Sequence, residues 1–196
     1  MDFLTSQTRE NLMRAFAGES QARNRYTIAA EVARRQNLFV IDRLFTFTAN
    51  QEKEHAAIFY RHLQPLAGSH LTVEGTYPVD LGTDVTALLR AAQHNEWEEY
   101  DPVYQDFGEA ANREGFPKIA ASFFQIAEIE RTHGERFGLF ADLLEQGLLF
   151  SAKAETQWLC LNCGHIHKGT EAPLSCPVCA HDRGYFVYMP LAPYTR

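Results

Sequence analysis

Apolar and small residues recur at helical spacing through roughly the first 147 residues of the chain. The pattern predicts one long amphipathic helix over residues 6–37 and a second over about 40–66, and we expect the two to pack as an antiparallel pair. Residues 67–82 hold four glycines or prolines, and their polarity alternates too weakly to predict a strand. A long crossover is therefore predicted there.

A third helix is predicted from about residue 84 to 114, with Asp84 or Thr83 as its N-cap. Pro102 lies inside this helix and has no backbone N–H, so we expect a kink or a local break. Gly115 separates the third helix from a fourth, which begins at Pro117 and stops near residue 147. Two helix pairs joined by a long crossover predict a four-helix bundle.

The composition changes near the end of the chain. Residues 148–157 form the predicted linker, and from Trp158 onwards cysteine, glycine, proline and aromatic residues dominate. A chain of 196 residues with 45% hydrophobic and 22% charged residues can bury one sizeable core and a small second domain. We predict a helical domain over residues 1–148 and a small second domain over 155–196.

The charge pattern argues against nucleic acid and membranes as partners. The net charge is −7, and no block of Lys or Arg could follow a phosphate backbone. The first residues lack the basic and apolar regions of a signal peptide, and no apolar run approaches the ~18 residues of a spanning helix. We expect a soluble, cytoplasmic protein.

Several acidic residues lie on the helix faces that should point into the core. Glu19 continues the stripe formed by Phe16 and Tyr26, and the other helices repeat this pattern. A lone buried carboxylate is costly, so each of these positions needs a partner. The remaining members of the set are Glu52 and His55 on the second helix, Glu96 on the third, and Glu130 and His133 on the fourth.

The spacing of these residues indicates an internal repeat. Glu19 precedes Glu52 by 33 residues, Glu96 precedes Glu130 by 34, and each second glutamate begins a Glu-x-x-His motif. Two such faces packed around two plain glutamates form the di-iron or di-manganese carboxylate site of ferritin-like bundles. The alternative is four separate acidic patches that face solvent.

A fifth carboxylate, Glu99, lies one helical turn after Glu96. It could let a metal exchange one ligand for another as its charge changes. Tyr26 and Tyr104 are either ordinary core aromatics or hydrogen-bond donors to metal-bound carboxylates.

All four cysteines lie in the last 37 residues, in two Cys-x-x-Cys knuckles separated by 12 residues. A disulfide framework would hardly leave the rest of the chain without cysteine, so the pattern predicts a metal site in a reducing compartment. Four thiolates suit zinc or a single iron equally well, and a nearby redox centre favours iron. The proposed ligands are Cys160, Cys163, Cys176 and Cys179.

These motifs together resemble the rubrerythrin family. The resemblance rests on Phe16-Ala-Gly-Glu-Ser-Gln-Ala-Arg-Asn-Arg-Tyr26, Gln51-Glu-Lys-Glu-His55, the Glu96 and Glu130 motifs and the terminal cysteine pairs, and it covers essentially the whole chain. It implies a mainly α protein, with a ferritin-like four-helix bundle followed by a small rubredoxin-like metal-binding β domain in which four cysteines hold one iron. It also implies a non-haem di-iron peroxidase that reduces hydrogen peroxide to water and protects against oxidative stress.

The resemblance further implies the site residues and partners. The di-iron ligands would be the six core residues and Glu99, and one iron would exchange His55 for Glu99 with its redox state. Electrons would come from a donor such as rubredoxin or an NAD(P)H-dependent reductase and pass through the cysteine site, in a homodimer or larger homo-oligomer. Nigerythrin shares the same centres, and the sequence does not separate the two.

Two other functions remain open from the sequence. One is iron handling or ferroxidase action, with oxygen as the oxidant. The other is a non-catalytic module in which zinc at the cysteines holds a binding domain together.

Overall fold

The computed structural model describes residues 2–193 and contains five α-helices and a three-stranded sheet. The four-helix bundle is confirmed, with α3 and α4 together taking the place of the predicted third helix. The helices are α1 (Gln7–Arg35), α2 (Phe39–His62), α3 (Val85–Glu98), α4 (Tyr104–Glu114) and α5 (Pro117–Glu145); the strands are β1 (Ser151–Cys160), β2 (Ile166–Glu171) and β3 (Phe186–Tyr188).

The helix ends follow from local chemistry. The Ser6 hydroxyl caps α1 by accepting the Arg9 N–H, and the Asp84 carboxylate caps α3 by accepting two backbone N–H groups. Gly115 ends α4 at φ +90°, a backbone conformation that favours glycine. Pro117 occupies the first turn of α5, where its missing N–H costs nothing.

The predicted third helix is interrupted at Pro102, as expected from its missing backbone N–H. Residues Glu99–Val103 form a π-helical turn in which Asp101 has non-helical angles (φ −153°, ψ 120°), and the Asp101–Pro102 peptide is cis. After this turn, helix α4 begins at Tyr104.

The long crossover between α2 and α3 is also confirmed, since residues 67–82 contain neither helix nor strand. Polar contacts fasten it to the bundle. Asp80 accepts hydrogen bonds from Arg25 (2.6 Å) and from Asn95 (2.8 Å), and the Tyr77 hydroxyl donates to the Arg14 carbonyl (3.2 Å). The crossover thus lies against α1 and α3.

The bundle core consists of two apolar clusters, one towards each end. The first cluster includes Tyr26, Phe45 and Phe137, whose rings contact one another with centroids 5.1–5.9 Å apart. The second includes Phe59 and Phe123, with centroids 4.9 Å apart. The buried glutamates and histidines lie in the helical turns between these two clusters.

The C-terminal segment forms an antiparallel sheet in the order β2-β1-β3. Strand β1 begins at Ser151, so most of the predicted linker 148–157 is in fact part of the sheet. Trp158 and Phe186 are buried beside the cysteines, and Tyr185 stacks on Phe39 of α2 at 4.0 Å. Residues 194–196 of the predicted second domain lie outside the described part of the chain.

No helix within residues 2–193 is both long enough and apolar enough to cross a membrane.

One contact ties the two halves of the bundle together. The Glu114 carboxylate, at the end of α4, accepts hydrogen bonds from the N–H groups of Gln7 and Thr8 and from the Thr8 hydroxyl, all at the start of α1. We expect Glu114→Ala to lower the free energy of unfolding by about 1–2 kcal/mol, because it removes a helix cap. Urea denaturation tests this, with the exposed Glu109→Ala on the same helix as control. Equal stability of the two variants would contradict the prediction.

Candidate metal centres

The six core residues predicted as ligands come together in one polar layer between the two apolar clusters. The layer receives side chains from α1, α2, α3 and α5. Five of its members are fully shielded from solvent and His55 is 5% exposed; the layer consists of Glu19, Glu52, His55, Glu96, Glu130 and His133.

These residues form two overlapping sets of four possible ligands. One set is Glu19, Glu52, His55 and Glu130; the other exchanges Glu19 for Glu96 and His55 for His133. Within each set the ligand atoms lie within 4.8 Å of one another. Because Glu52 and Glu130 belong to both sets, their carboxylates can bridge two cations, while each imidazole serves one.

The imidazole nitrogens point into the two sets. His55 Nδ1 lies 2.9 Å from Glu130 Oε1 and 3.1 Å from Glu52 Oε2. His133 Nδ1 lies 2.8 Å from Glu130 Oε2 and 3.0 Å from Glu52 Oε1. Each bridging glutamate therefore presents one oxygen to each histidine.

Many of these buried atoms lack a hydrogen bond. They are Glu19 Oε2, Glu52 Oε1, Glu96 Oε2, both Glu130 oxygens and His133 Nδ1. His55 Nδ1 and Glu52 Oε2 form a hydrogen bond, but the other close nitrogen–oxygen contacts among the six residues lack hydrogen-bond angles, as expected for atoms that converge on a shared cation. Buried polar groups are otherwise almost always hydrogen-bonded. Carboxylate oxygens and imidazole nitrogens also form a donor set that suits iron, so the residues present fit a pair of iron ions.

Without a cation, the raised pKa values of Glu19, Glu96 and both histidines favour the protonated forms of these four groups. Burial raises the pKa of Glu19 and brings that of Glu96 to about 8. Burial alone would lower the pKa of His133, but the carboxylates of Glu130 and Glu52 outweigh it and raise the pKa to about 12. The pKa of Glu52 shifts in the opposite direction to those of Glu19 and Glu96. Burial alone would raise it, but hydrogen bonds and charge interactions with His133 and His55 outweigh burial and lower the pKa to about 2.

Tyr26 and Tyr104 both donate hydrogen bonds to the layer. The Tyr26 hydroxyl donates to Glu96 Oε1 and the Tyr104 hydroxyl to Glu19 Oε1, each at 2.5 Å. One tyrosine comes from each apolar cluster, and each contacts the glutamate of the other half of the repeat. Burial, reinforced by the neighbouring carboxylates, raises both pKa values, so both hydroxyls keep their protons.

The structure adds Gln51, which the sequence analysis gave no role. Its Oε1 accepts a hydrogen bond from His133 Nε2 (3.1 Å), and Arg136 Nη1 approaches the same oxygen at 3.4 Å. This contact directs the other ring nitrogen, Nδ1, towards the carboxylates. Gln51 directly precedes Glu52, but it lies 82 residues from His133 and no local pattern connects them.

Glu99 lies beside the layer but belongs to neither ligand set. Its Oε1 is close to α1, 3.9 Å from the point where a Cβ on Gly18 would lie. Burial and then the charge of Glu19 raise its pKa. The equivalent position in the first half of the repeat, three residues after Glu19, is Ala22. Glu99 therefore breaks the symmetry of the centre on one side.

The four cysteines form the second candidate site. Cys160 Sγ lies 3.8 Å from Cys179 Sγ, and Cys163 Sγ lies 3.6 Å from Cys176 Sγ, far beyond the length of a disulfide bond. A metal with bonds of about 2.3 Å to four sulfurs holds them roughly 3.8 Å apart, so the arrangement fits a tetrahedral metal.

Each knuckle directs backbone N–H groups at sulfur. The chain reverses after each second cysteine through a residue of positive φ, Gly164 (+77°) and Ala180 (+59°). The N–H of His181 stabilises the Cys179 thiolate and lowers its pKa to about 6. Cys160 and Cys176 are buried and Cys163 is exposed, so one side of the site faces solvent.

The fold and these two sites define a class of protein: a ferritin-like helical bundle with a carboxylate-bridged dinuclear site, followed by a small tetrathiolate domain. The family model described as "Rubrerythrin" matches residues 10–141, and that described as "Rubrerythrin, rubredoxin-like domain" matches residues 158–187. The chain belongs to the rubrerythrin family.

Individual relatives agree with this assignment. The chain is 43% identical to a rubrerythrin of Clostridium perfringens over 92% of this chain and 93% of the relative, and 30% identical to a nigerythrin of Nitratidesulfovibrio vulgaris over 91% and 85%. A solved nigerythrin structure, described as fully reduced and all ferrous, is 28% identical with a TM-score of 0.63 over 95% of this chain and 91% of that one. The chain thus has a di-iron carboxylate site and a rubredoxin-like tetrathiolate site.

The protonation of the metal-free layer predicts how stability depends on pH. Between about pH 5 and 8 the folded state retains protons on Glu96 (pKa about 8) and His133 (pKa about 12), while the unfolded chain, with ordinary values of 4.5 and 6.5, releases them. The folded state then binds more protons than the unfolded state, so the free energy of unfolding should fall as pH rises. Iron displaces these protons and should flatten the slope.

Urea unfolding of metal-free and anaerobically iron-loaded protein, compared across this pH range, checks the prediction. Parallel pH dependences in the two forms would contradict it.

Proposed function

We propose that this protein is a di-iron peroxidase that reduces hydrogen peroxide to water and protects the cell against oxidative stress. The observation that carries the proposal is the buried layer of glutamates and histidines, with two shared carboxylates and an extra carboxylate, Glu99, at one side only. The presence of a tetrathiolate site in the same chain supplies a route for single electrons. The four unpaired thiols support a reducing compartment such as the cytoplasm.

The ligand assignment follows the two sets. Glu52 and Glu130 would bridge both irons; Glu19 and His55 would bind one, and Glu96 and His133 the other. Glu99 would be an additional ligand on the Glu19 side, as an alternative to His55. Cys160, Cys163, Cys176 and Cys179 would hold the third iron.

The bound iron pair supplies two electrons to the O–O bond, and the overall reaction consumes H2O2, two electrons and two protons and yields two water molecules. The protein residues orient and shield this chemistry. Tyr104 and Tyr26 hold Glu19 and Glu96 in place by donating hydrogen bonds, and their raised pKa values keep those donors intact. The apolar clusters on both sides exclude bulk water, so charges in the layer act at low dielectric.

Electron delivery favours more than one subunit. The cysteine domain packs on Phe39, at the start of α2, and Glu52 lies 13 residues further along that helix, about 20 Å away at 1.5 Å per residue. This separation supports a homodimer or larger assembly in which the cysteine domain of one subunit serves the di-iron site of another. The external donor would be rubredoxin or an NAD(P)H-dependent reductase.

The role of Glu99 can be tested by substitution. We expect Glu99→Ala to retain most of its iron, because both sets of four ligands remain, but to reduce turnover with peroxide at least tenfold. Iron content by metal analysis and peroxidase rates by stopped flow measure both effects. Glu54→Ala removes an exposed carboxylate on α2 and should behave as the unmodified protein. An unchanged rate in the Glu99 variant would rule out its proposed part in the reaction.

The activity itself can be tested anaerobically. Fully reduced, iron-loaded protein is mixed with one equivalent of hydrogen peroxide, and the thiolate-to-iron absorption of the cysteine site is followed. We expect the colour to return within seconds and much faster than with oxygen, because the di-iron site draws electrons from the cysteine iron.

Two outcomes would contradict the proposal. Colour that returns only with oxygen would indicate an oxidase or ferroxidase. A cysteine site that stays colourless would indicate zinc and remove the electron route.

A further inference from the structure

A cavity of about 230 Å³ lies between the crossover and the bundle, on the side of the polar layer where Glu99 breaks the symmetry. Helix α1, the crossover, α3 and α4 all contribute to its wall. Glu99 and Tyr104 line its inner part, and the Tyr104 hydroxyl donates to Glu19, a member of the first ligand set. The cavity therefore reaches two residues that neighbour the first ligand set, Glu99 and Tyr104.

Gly18 lies on the wall of this cavity, close to Tyr77 and Glu99. A methyl group added to Gly18 would lie 3.8 Å from Tyr77 Cε1 and 3.9 Å from Glu99 Oε1, both ordinary van der Waals distances. The gap over Gly18, beside the Tyr77 ring and the Glu99 carboxylate, thus takes a methyl group in ordinary van der Waals contact. A longer side chain at position 18 would extend into the cavity.

Polar contacts fix the outer wall of the cavity, which is formed by the crossover. Tyr77 donates a hydrogen bond to the Arg14 carbonyl, and the ion pair between Arg25 and Asp80 fixes the crossover three residues further on. Gly75 makes this position possible, because a Cβ there would lie 2.8 Å from the Tyr77 hydroxyl oxygen. The Tyr77 ring is therefore held beside α1 in the wall of the cavity.

We propose that this cavity is the passage by which peroxide reaches the di-iron site, and that Tyr77 and Gly18 set the size limit of the hydroperoxide. The inference rests on the proposed peroxidase function. Hydrogen peroxide is about the size of two water molecules, each of which occupies roughly 30 Å³ in the liquid, so the cavity accommodates it. A tert-butyl group is bulkier than the methyl group that fits over Gly18, so we expect Tyr77 and Gly18 to exclude it.

Azide binding to the oxidised, iron-loaded protein tests the passage without any turnover. The change in visible absorption measures the association rate of azide. We expect this rate to be lower in Gly18→Ala than in the unmodified protein, and at least tenfold lower in Gly18→Leu, while the iron content stays unchanged. We expect Tyr77→Ala to raise this rate. The control is Val79→Ala, an equivalent truncation of an exposed crossover residue.

Substrate selectivity provides a second readout. Tyr77→Ala should raise the ratio of kcat/KM for tert-butyl hydroperoxide to that for hydrogen peroxide at least tenfold, because the ring no longer narrows the gap. Val79→Ala should keep the ratio of the unmodified protein.

The outcomes separate this inference from the proposed function. If no variant consumes hydroperoxide but azide binding follows the expected order, the passage stands and the peroxidase function fails. If Gly18→Leu loads iron and binds azide at the original rate, the passage is overturned. If Gly18→Leu loses its iron, the Tyr77→Ala variant provides the test instead. A Tyr77→Ala variant that matches Val79→Ala in both azide association rate and substrate selectivity would overturn the inference.

Discussion

The burial of four carboxylates and two imidazoles in the middle of a helical bundle is the constraint on which the rest of this structure depends. Desolvation of each charge costs several kcal/mol, and the layer contains too few hydrogen-bond donors to offset this. Protons relieve part of the cost in the metal-free chain, as the raised pKa values of Glu19 and Glu96 indicate. Two cations relieve it more completely, because they neutralise the carboxylates and satisfy the oxygens that lack hydrogen bonds.

The internal repeat places matching glutamates and histidines on both sides of the polar layer. The positions at which the two halves differ indicate the side of the layer on which we propose that the chemistry takes place. Glu19 corresponds to Glu96, and each accepts a hydrogen bond from a tyrosine of the opposite half. Glu99 has only Ala22 as its counterpart, and the π-helical turn begins at Glu99. The extra carboxylate, the turn and the cavity over Gly18 all lie on the same side of the layer.

The two metal sites place different demands on the chain. The dinuclear site needs long helices, because its ligands come from four of them and must be held between two apolar clusters. The cysteine site needs only two short knuckles and a few buried aromatic residues, since four thiolates already complete a tetrahedron. A bundle joined to a small sheet satisfies both demands within 196 residues.

The sequence by itself determined the helix pattern, the break at Pro102, the six polar residues of the core and the cysteine knuckles. All of these depend on periodicity, capping chemistry or regular spacing along the chain, which are properties of the sequence that need no tertiary contacts. It did not determine that β1 begins at Ser151, inside the predicted linker, because that strand exists only through pairing with β2 and β3. The contact of Gln51 with His133 and the position of Tyr77 over Gly18 were decided only by tertiary structure. These groups are 82 and 59 residues apart, and only the packing of the helices and the crossover brings them together.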